Sequence, residues 1–501
     1  MRASGRIAAA AVAAVITVGG LAGGVAFAAP DLPSLPELPV AGAIIASGDA
    51  TDCAMTRTGE YEESSPEAVG LDPAKVKEAI DYWAAQGSET VKVFRHGCLV
   101  GESGLDPALE RVPRLNWSQT KTVSALIAGV AEKQGLIDVD APIGDYLPEG
   151  LGDEAHRAIT VRNVLNMTTG VQMNWARGLN LFTDISRARE AMSMTIEHEP
   201  GEYFEYDQTT PSVLNYVVQH AIWKAEPGLD YQEWAQREFF NKLGIPQSAY
   251  WWQRDRSGNT LGYSKLFLRP LEFGRLGELM RNDGTYDGVE IIDPSYMREL
   301  HTGTEANCGY GFLTWVNSCS GDDMQVNASL FARRVIAPAQ PWIASAPSDM
   351  YFSFGLHGQH TFVIPSLDMV VTRSGEVPPD TLENTPNLDA DPLAGAAVKE
   401  GYYNFFRTLM SAVTDMPDDV RDSIANPDGP WTGSPDLALD PETIIYPVDA
   451  APGSYLAVGD QAPEGCTITG CENDPNDGTR WITDVPRTIP GVIGVEQRPN
   501  G

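Results

Sequence analysis

Ser118-Gln119-Thr120-Lys121, continued by Thr122-Val123-Ser124-Ala125-Leu126-Ile127-Ala128-Gly129-Val130-Ala131-Glu132-Lys133, is the stretch that decides the fold. Apolar residues at Val123, Leu126, Ile127, Val130 and Ala131 follow helical spacing with one buried face. A serine and a lysine three positions apart on a helix share a face, so the amine can approach the hydroxyl. A serine hydroxyl is a weak nucleophile until a neighbouring base takes its proton, and lysine serves once desolvation or nearby positive charge lowers its pKa. The competing explanation is structural, since a serine at a helix start is commonly an N-cap and a lysine one turn in is commonly solvated. Against it, the chain is poor in lysine, Ser-x-x-Lys occurs once, and the run that follows is unusually apolar. Lys121 is therefore expected on a helix packed deep in the domain.

The chain's 501 residues are enough for one large or two medium domains with an ample core. Residues 1–28 read as an export signal: Arg2 and Arg6, an apolar small-residue run from Ile7 to about Val25, then Ala26-Phe27-Ala28 as the cleavage site. A membrane anchor is the alternative, disfavoured because the run is rich in Ala and Gly and ends without a charged stop. No cysteine follows it to take a lipid, and no later segment is apolar for long enough to span a bilayer. The mature protein is expected to be secreted and soluble, without membrane association beyond export. Six cysteines suit that compartment. Cys308 and Cys319 flank a strand-like run and Cys466 and Cys471 a short turn, natural local pairs that leave Cys53 for Cys98, although spacing alone leaves the connectivity open. Zinc is the rival use, but no His or second Cys stands at ligand spacing. A formal net charge of −33 argues against nucleic acid and anionic lipid as partners and describes a solvated acidic surface.

Residues 29–63 are rich in Pro, Gly and acidic side chains and read as a linker, with the folded domain expected over 64–414. Asp72–Ala85 reads as an amphipathic helix, and Val91–Arg95 with Cys98–Glu102 as a hairpin about His96-Gly97. The text between roughly 140 and 300 is helical and loop-rich. Strand signals return at Tyr310–Val316, Tyr351–Leu356, Thr361–Ile364 and Met369–Thr372, and an amphipathic helix at about Leu393–Thr414 closes the domain. This order predicts an α+β fold: an antiparallel β-sheet backed by helices plus a mostly α-helical region, with the active-site cleft between them. Residues 415–501 form an acidic, Pro-rich extension without lysine. Its Asp474-Pro475-Asn476-Asp477-Gly478 departs from EF-hand spacing, so a tail wrapped on the surface is favoured over a calcium loop.

Ser118-x-x-Lys121 resembles the nucleophile motif of the serine β-lactamase and penicillin-binding-protein superfamily. The flanking text is similar to its class C-like branch, which includes D,D-peptidases, family VIII esterases and 6-aminohexanoate-oligomer hydrolases. Three passages carry the resemblance: Gly135-Leu136-Ile137-Asp138-Val139-Asp140-Ala141-Pro142 with Tyr146-Leu147-Pro148; Ile159-Thr160-Val161-Arg162-Asn163-Val164-Leu165-Asn166-Met167-Thr168-Thr169-Gly170; and Pro200-Gly201-Glu202-Tyr203-Phe204-Glu205-Tyr206. Their order over about residues 64–412 is more specific than any one passage. The resemblance implies that Tyr206-Asp207-Gln208 stands for a Tyr-x-Asn motif, with Tyr206 relaying protons between Ser118 and the leaving group. A buried core tyrosine is the bland alternative. Gln208 departs from asparagine by one methylene, which puts a substrate-orienting role there in doubt.

The third motif of the family, usually Lys-Thr-Gly, falls at Leu356-His357-Gly358-Gln359. Gly358 fits an approach of substrate to backbone, and the N–H groups of Gln359 and Ser118 are expected to form the oxyanion hole. Lysine at this site recognises the carboxylate of penicillins and peptidoglycan stems, and Leu356 cannot. His357 is a partial substitute at most. The Gly-x-His-Gly-Gln pattern is nearer to the aminohexanoate-hydrolase and esterase members. Trp175 and Tyr203 are candidates for lining the acyl pocket, although packing explains them equally well. The implied activity is hydrolysis of a small ester or amide through an acyl-enzyme on Ser118, with no metal or organic cofactor required. D-Alanyl-D-alanine carboxypeptidase, β-lactamase and a non-catalytic wall- or peptide-binding protein are the alternatives.

Overall fold

The computed structural model describes residues 42–45, 48–54, 57, 60–172, 186–255, 257–318, 335–336, 341–355, 358–375, 396–429, 438–439, 466–467 and 470–471. Its frame is a seven-stranded antiparallel sheet. The strands are β1 (Ala43–Ile44), β2 (Ser88–Arg95), β3 (Cys98–Glu102), then, after a second small sheet of β4 (Arg114–Leu115), β5 (Tyr250–Trp252) and β6 (Leu266–Leu268), β7 (Trp315–Val316), β8 (Tyr351–Gly355), β9 (Gln359–Ile364) and β10 (Met369–Gly375). Spatial order in the large sheet is β1-β3-β2-β10-β9-β8-β7. The hairpin β2–β3 turns at His96 and Gly97, both with positive φ (52° and 76°), the backbone that a tight two-residue turn demands.

Helix α1 (Pro73–Ala85) starts as its sequence dictates. Asp72 accepts hydrogen bonds from the Ala74 and Lys75 amides (2.8 and 3.2 Å), and Pro73 occupies the first helical position. Its apolar stripe, Val76, Ala79, Ile80 and Trp83, is buried. The terminal helix, designated α5 (Ala396–Ala412), packs beside it, with Phe405 stacked on Trp83 at 3.4 Å between ring centres. Between them in sequence lie α2 (Gln119–Lys133), α3 (Thr210–Ala225) and α4 (Leu271–Arg281). Helix α4 covers β9 and β10, so close that a Cβ at Gly277 would lie 2.4 Å from Val370. Helix α2 bridges the two regions, touching β8 on one side and α3 on the other. Every residue from Gln119 to Ala131 is buried, the signature of a helix enclosed by protein.

Three expectations change. The stretch read as linker contributes β1, which pairs with β3, and its Cys53 and Tyr61 are buried; a free sheet edge offered hydrogen bonds that a short extended segment could take. Only Trp315–Val316 of the expected strand Tyr310–Val316 joins the sheet. The rest doubles back, with Gly311 N–H bonded to Thr314 O, Tyr310 bridged to Trp315 and Leu313 at φ +46°. The C-terminal extension begins inside the packed unit, because Val420 and Ile424 are buried and Tyr403 donates to the carbonyls of Asn426 and Gly429.

Cys53 and Cys98 are joined by a disulfide. Cys308 is also disulfide-bonded, and its expected partner Cys319 lies outside the described residues. Cys466 and Cys471 pair across a two-residue ladder, while their side chains lie outside the description. Outside it too are the export signal 1–28, Trp175, Leu356, His357 and the Asp474–Gly478 stretch.

Candidate active site

Ser118 begins at a strained turn. Trp117 takes φ +48°, a left-handed conformation that is costly for a bulky side chain and persists only where the surroundings impose it. They do so here: the Asn116 amide is bonded to Leu266 O in β6 (2.8 Å), and the Gln119 amide to Asn116 O (3.1 Å). Ser118 is the residue that flanks the helix start, yet its side chain makes no capping bond. The hydroxyl instead meets Lys121 Nζ at 3.1 Å and shares a hydrogen bond with the Tyr206 side chain.

Lys121 is 1% exposed, on the face of α2 opposite its apolar stripe, which is buried because the helix is enclosed on every side. Its amine also meets Gln208 Oε1 (2.7 Å) and the Tyr263 carbonyl (2.9 Å), and lies 4.7 Å from the centre of the Tyr206 ring. Burial lowers its pKa to about 7, opposed by the negative charge of Asp207. The arrangement dictates hydrogen-bond direction. A neutral amine has two protons and one lone pair, and Gln208 Oε1 and Tyr263 O can only accept. Those two acceptors take the protons, which leaves the lone pair for the Ser118 hydroxyl 3.1 Å away.

Tyr206 lies between Lys121 and an aromatic wall. Its ring stacks on Trp315 at 5.6 Å and meets Tyr310 edge-on at 6.1 Å. Burial pushes the phenol above its ordinary pKa, so it is protonated at neutral pH. The lysine, not a tyrosinate, is thus the stronger candidate for the base. Tyr206, Asp207 and Gln208 precede α3, and the Asp207 carboxylate accepts from the Thr209 amide, the Thr210 amide (2.8 Å) and the Thr210 hydroxyl.

Gln208 differs from what its departure from asparagine implied. The additional methylene brings its oxygen to the Lys121 amine, so it orients the lysine. Gly358 also differs. The space where its Cβ would stand is filled by Arg373, whose Nη1 is 1.4 Å from that position and donates to Gly358 O at 2.8 Å. The close approach to the Ser118 turn is made by Gly355, where a Cβ would lie 2.2 Å from Asn116 O. Gln359, first residue of β9, directs its Nε2 to Gly375 O (2.8 Å). Tyr203 stacks on His198 at 3.9 Å. Sequence reasoning missed Gln119, whose Nε2 donates to Ser353 Oγ (3.1 Å) and Thr361 Oγ1 (3.0 Å) and so pins the first turn of α2 to β8 and β9. Its sequence neighbours Ser118, Thr120, Lys121 and Thr122 are polar as well, so no local pattern singled it out.

A β-lactamase family profile matches residues 104–265, which span Ser118, Lys121, Tyr206 and Tyr263. A Bacillus anthracis structure with the provisional description 6-aminohexanoate-dimer hydrolase gives a TM-score of 0.52 at 14% identity, over 73% of this chain and 91% of its own. A Bacteroides dorei structure provisionally described as a β-lactamase gives 0.49 at 14% identity, over 69% and 100%. A family VIII carboxylesterase gives 0.45 at 14% identity, over 66% and 97%. No curated protein matches the chain.

Proposed function

We propose that the chain, whose residues 104–265 match a β-lactamase family profile and whose fold is shared with a structure of that kind, is a serine hydrolase that cleaves a small ester or amide through an acyl-enzyme on Ser118. One observation carries the reading. The Ser118 hydroxyl, at a helix start where serine ordinarily caps, is engaged by an amine and a phenol instead. Lys121, in its neutral form, which gains over the ammonium as pH rises through about 7, removes the hydroxyl proton as Ser118 Oγ attacks the carbonyl. The N–H groups of Ser118 and Gln359 receive the developing oxyanion. The proton then passes from Lys121 through Tyr206 to the leaving alcohol or amine. Water, deprotonated by the same pair, attacks the acyl-enzyme and releases the acid.

Ester or amide is favoured over penicillin because Leu356 stands where carboxylate-recognising members carry lysine. The chain acts outside the cytoplasm, on the support of the Ala26-Phe27-Ala28 signal and of the Cys53–Cys98 disulfide, a bond that persists in oxidising compartments. Mass spectrometry after incubation with a p-nitrophenyl ester, a β-lactam and an aminohexanoate dimer tests the reading in wild type and Ser118→Ala. The expected result is an adduct on wild-type Ser118 from the ester or the dimer. Turnover by Ser118→Ala at the wild-type rate would overturn it.

A further inference from the structure

We infer that Asp207 is a positioning residue of this site: its buried carboxylate locks the turn that carries Tyr206 and Gln208 and supplies a negative charge to the pocket that holds the Lys121 amine. This rests on the hydrolase reading for its purpose, though not for its measurement. Asp207 is 6% exposed and receives three hydrogen bonds, from the Thr209 amide, the Thr210 amide and the Thr210 hydroxyl. Burial raises the Asp207 carboxyl above its usual range, and the three donors, with the Lys121 charge, oppose that shift in favour of the ionised form. They also cap α3, whose own flanking residue, Thr209, makes no side-chain cap. The cap fixes the backbone at 207, and its two neighbours are the residues whose side chains enter the site: Tyr206 to Ser118, Gln208 to Lys121.

The electrostatic half follows from what surrounds the amine. Lys121 is fully buried, and burial lowers the pKa of its ammonium. Around it stand Ser118 on its own helix, Tyr206, Asp207 and Gln208 before α3, and Tyr263 on the facing loop, with the Arg187 guanidinium 5.3 Å from the centre of the Tyr263 ring. Asp207 is the anion in that set. Its charge raises the Lys121 pKa against burial, to about 7, where a general base is most effective. The same charge raises Tyr206 and helps to keep its phenol protonated.

The test measures Lys121 directly. The 13Cε resonance of Lys121, assigned by its loss in Lys121→Met, is titrated in the full chain as wild type, Asp207→Asn and Asp207→Ser. Both substitutions keep an oxygen to cap α3 and remove the charge; two are used in case one does not fold. The expected result is a titration midpoint at lower pH in each variant, with the acid limb of ester kcat/KM moving the same way. Thr210→Val, which deletes a hydrogen bond and leaves the charge, is expected to titrate with wild type. An unchanged or higher midpoint in the folded Asp207 variants overturns the inference. Absence of any wild-type adduct on Ser118 would instead sink the hydrolase reading, leaving the titration to decide the role of Asp207.

Discussion

Lys121 must be neutral to take a proton, which fixes the sign of its pH dependence. With the pKa lowered to about 7, the reactive form is lost as pH falls below that value and gained as it rises. Ester kcat/KM is therefore expected to climb through about pH 7 and level off above it, and a stopped-flow profile checks the midpoint. Lys121→Arg keeps charge and length but cannot deprotonate, so it should lose about 10²–10⁴-fold in kcat, the worth of a general base. An arginine variant as active as wild type would remove Lys121 from the mechanism. The Ser118–Lys121 pair was legible in the sequence because its chemistry resides in side chains at a fixed spacing, and Tyr206 became a candidate through the resemblance to a Tyr-x-Asn motif. Tyr263 was not, since it contributes a backbone carbonyl that any residue could offer. The Gln208 contact with Lys121 was not legible for a related reason: a motif says which residue departs, while only geometry says where the longer side chain ends.

At the level of elements, the site depends on how closely α2 and β8 meet. Gly355 ends β8 with no room for a Cβ, which would stand 2.2 Å from Asn116 O. Gly355→Ala must push the strand away from the turn that carries Ser118. A shift near 1 Å is enough to cost roughly 10²-fold in rate, so kcat should fall more than thermal stability does. Equal rates in the two proteins would show that the contact does not position the serine. Gln119→Leu probes the same junction from the helix, leaving Ser353 Oγ and Thr361 Oγ1 without their shared donor. A loss of about 1–3 kcal/mol in urea unfolding is expected from orphaning buried polar groups. The helices and long strands were readable from periodicity, and α1 even from its cap. The edge strands were not. β1 is two residues inside a Pro- and acid-rich stretch, and the Tyr310–Val316 run alternates like a strand although Gly311 and Leu313 fold it back. Pairing at an edge is decided by the neighbour's open hydrogen bonds, which local sequence does not record.

Across the whole molecule, stability is set by how distant segments are tied and by what the fold buries. The Cys53–Cys98 disulfide spans 45 residues and fastens the N-terminal segment to the hairpin. Closing a loop of that length is worth about 4 kcal/mol on the chain-entropy account, so Cys53→Ser/Cys98→Ser should melt well below wild type, by calorimetry. A second device lies between β2 and the segment after β3. Lys92, 2% exposed, meets Glu102, Asp106 (3.2 Å) and Glu110 (3.0 Å), so one ammonium faces three carboxylates. Asp106, fully enclosed, has its pKa raised to about 7 by burial despite the lysine and the Ser103 and Val91 donors. The sign follows from linkage. Between the unfolded carboxyl value of about 4 and about 7, the folded chain holds a proton at Asp106 that the unfolded chain has released, so this group's contribution to stability falls as pH rises through that window. Asp106→Asn keeps an acceptor for the Val91 amide and removes the titration. The difference in melting temperature, variant minus wild type, should therefore grow from pH 5 to pH 8, because ionising Asp106 adds a third negative charge to a cavity with one positive. A difference that stays flat or shrinks over that range would mean that Lys92 fully compensates all three carboxylates.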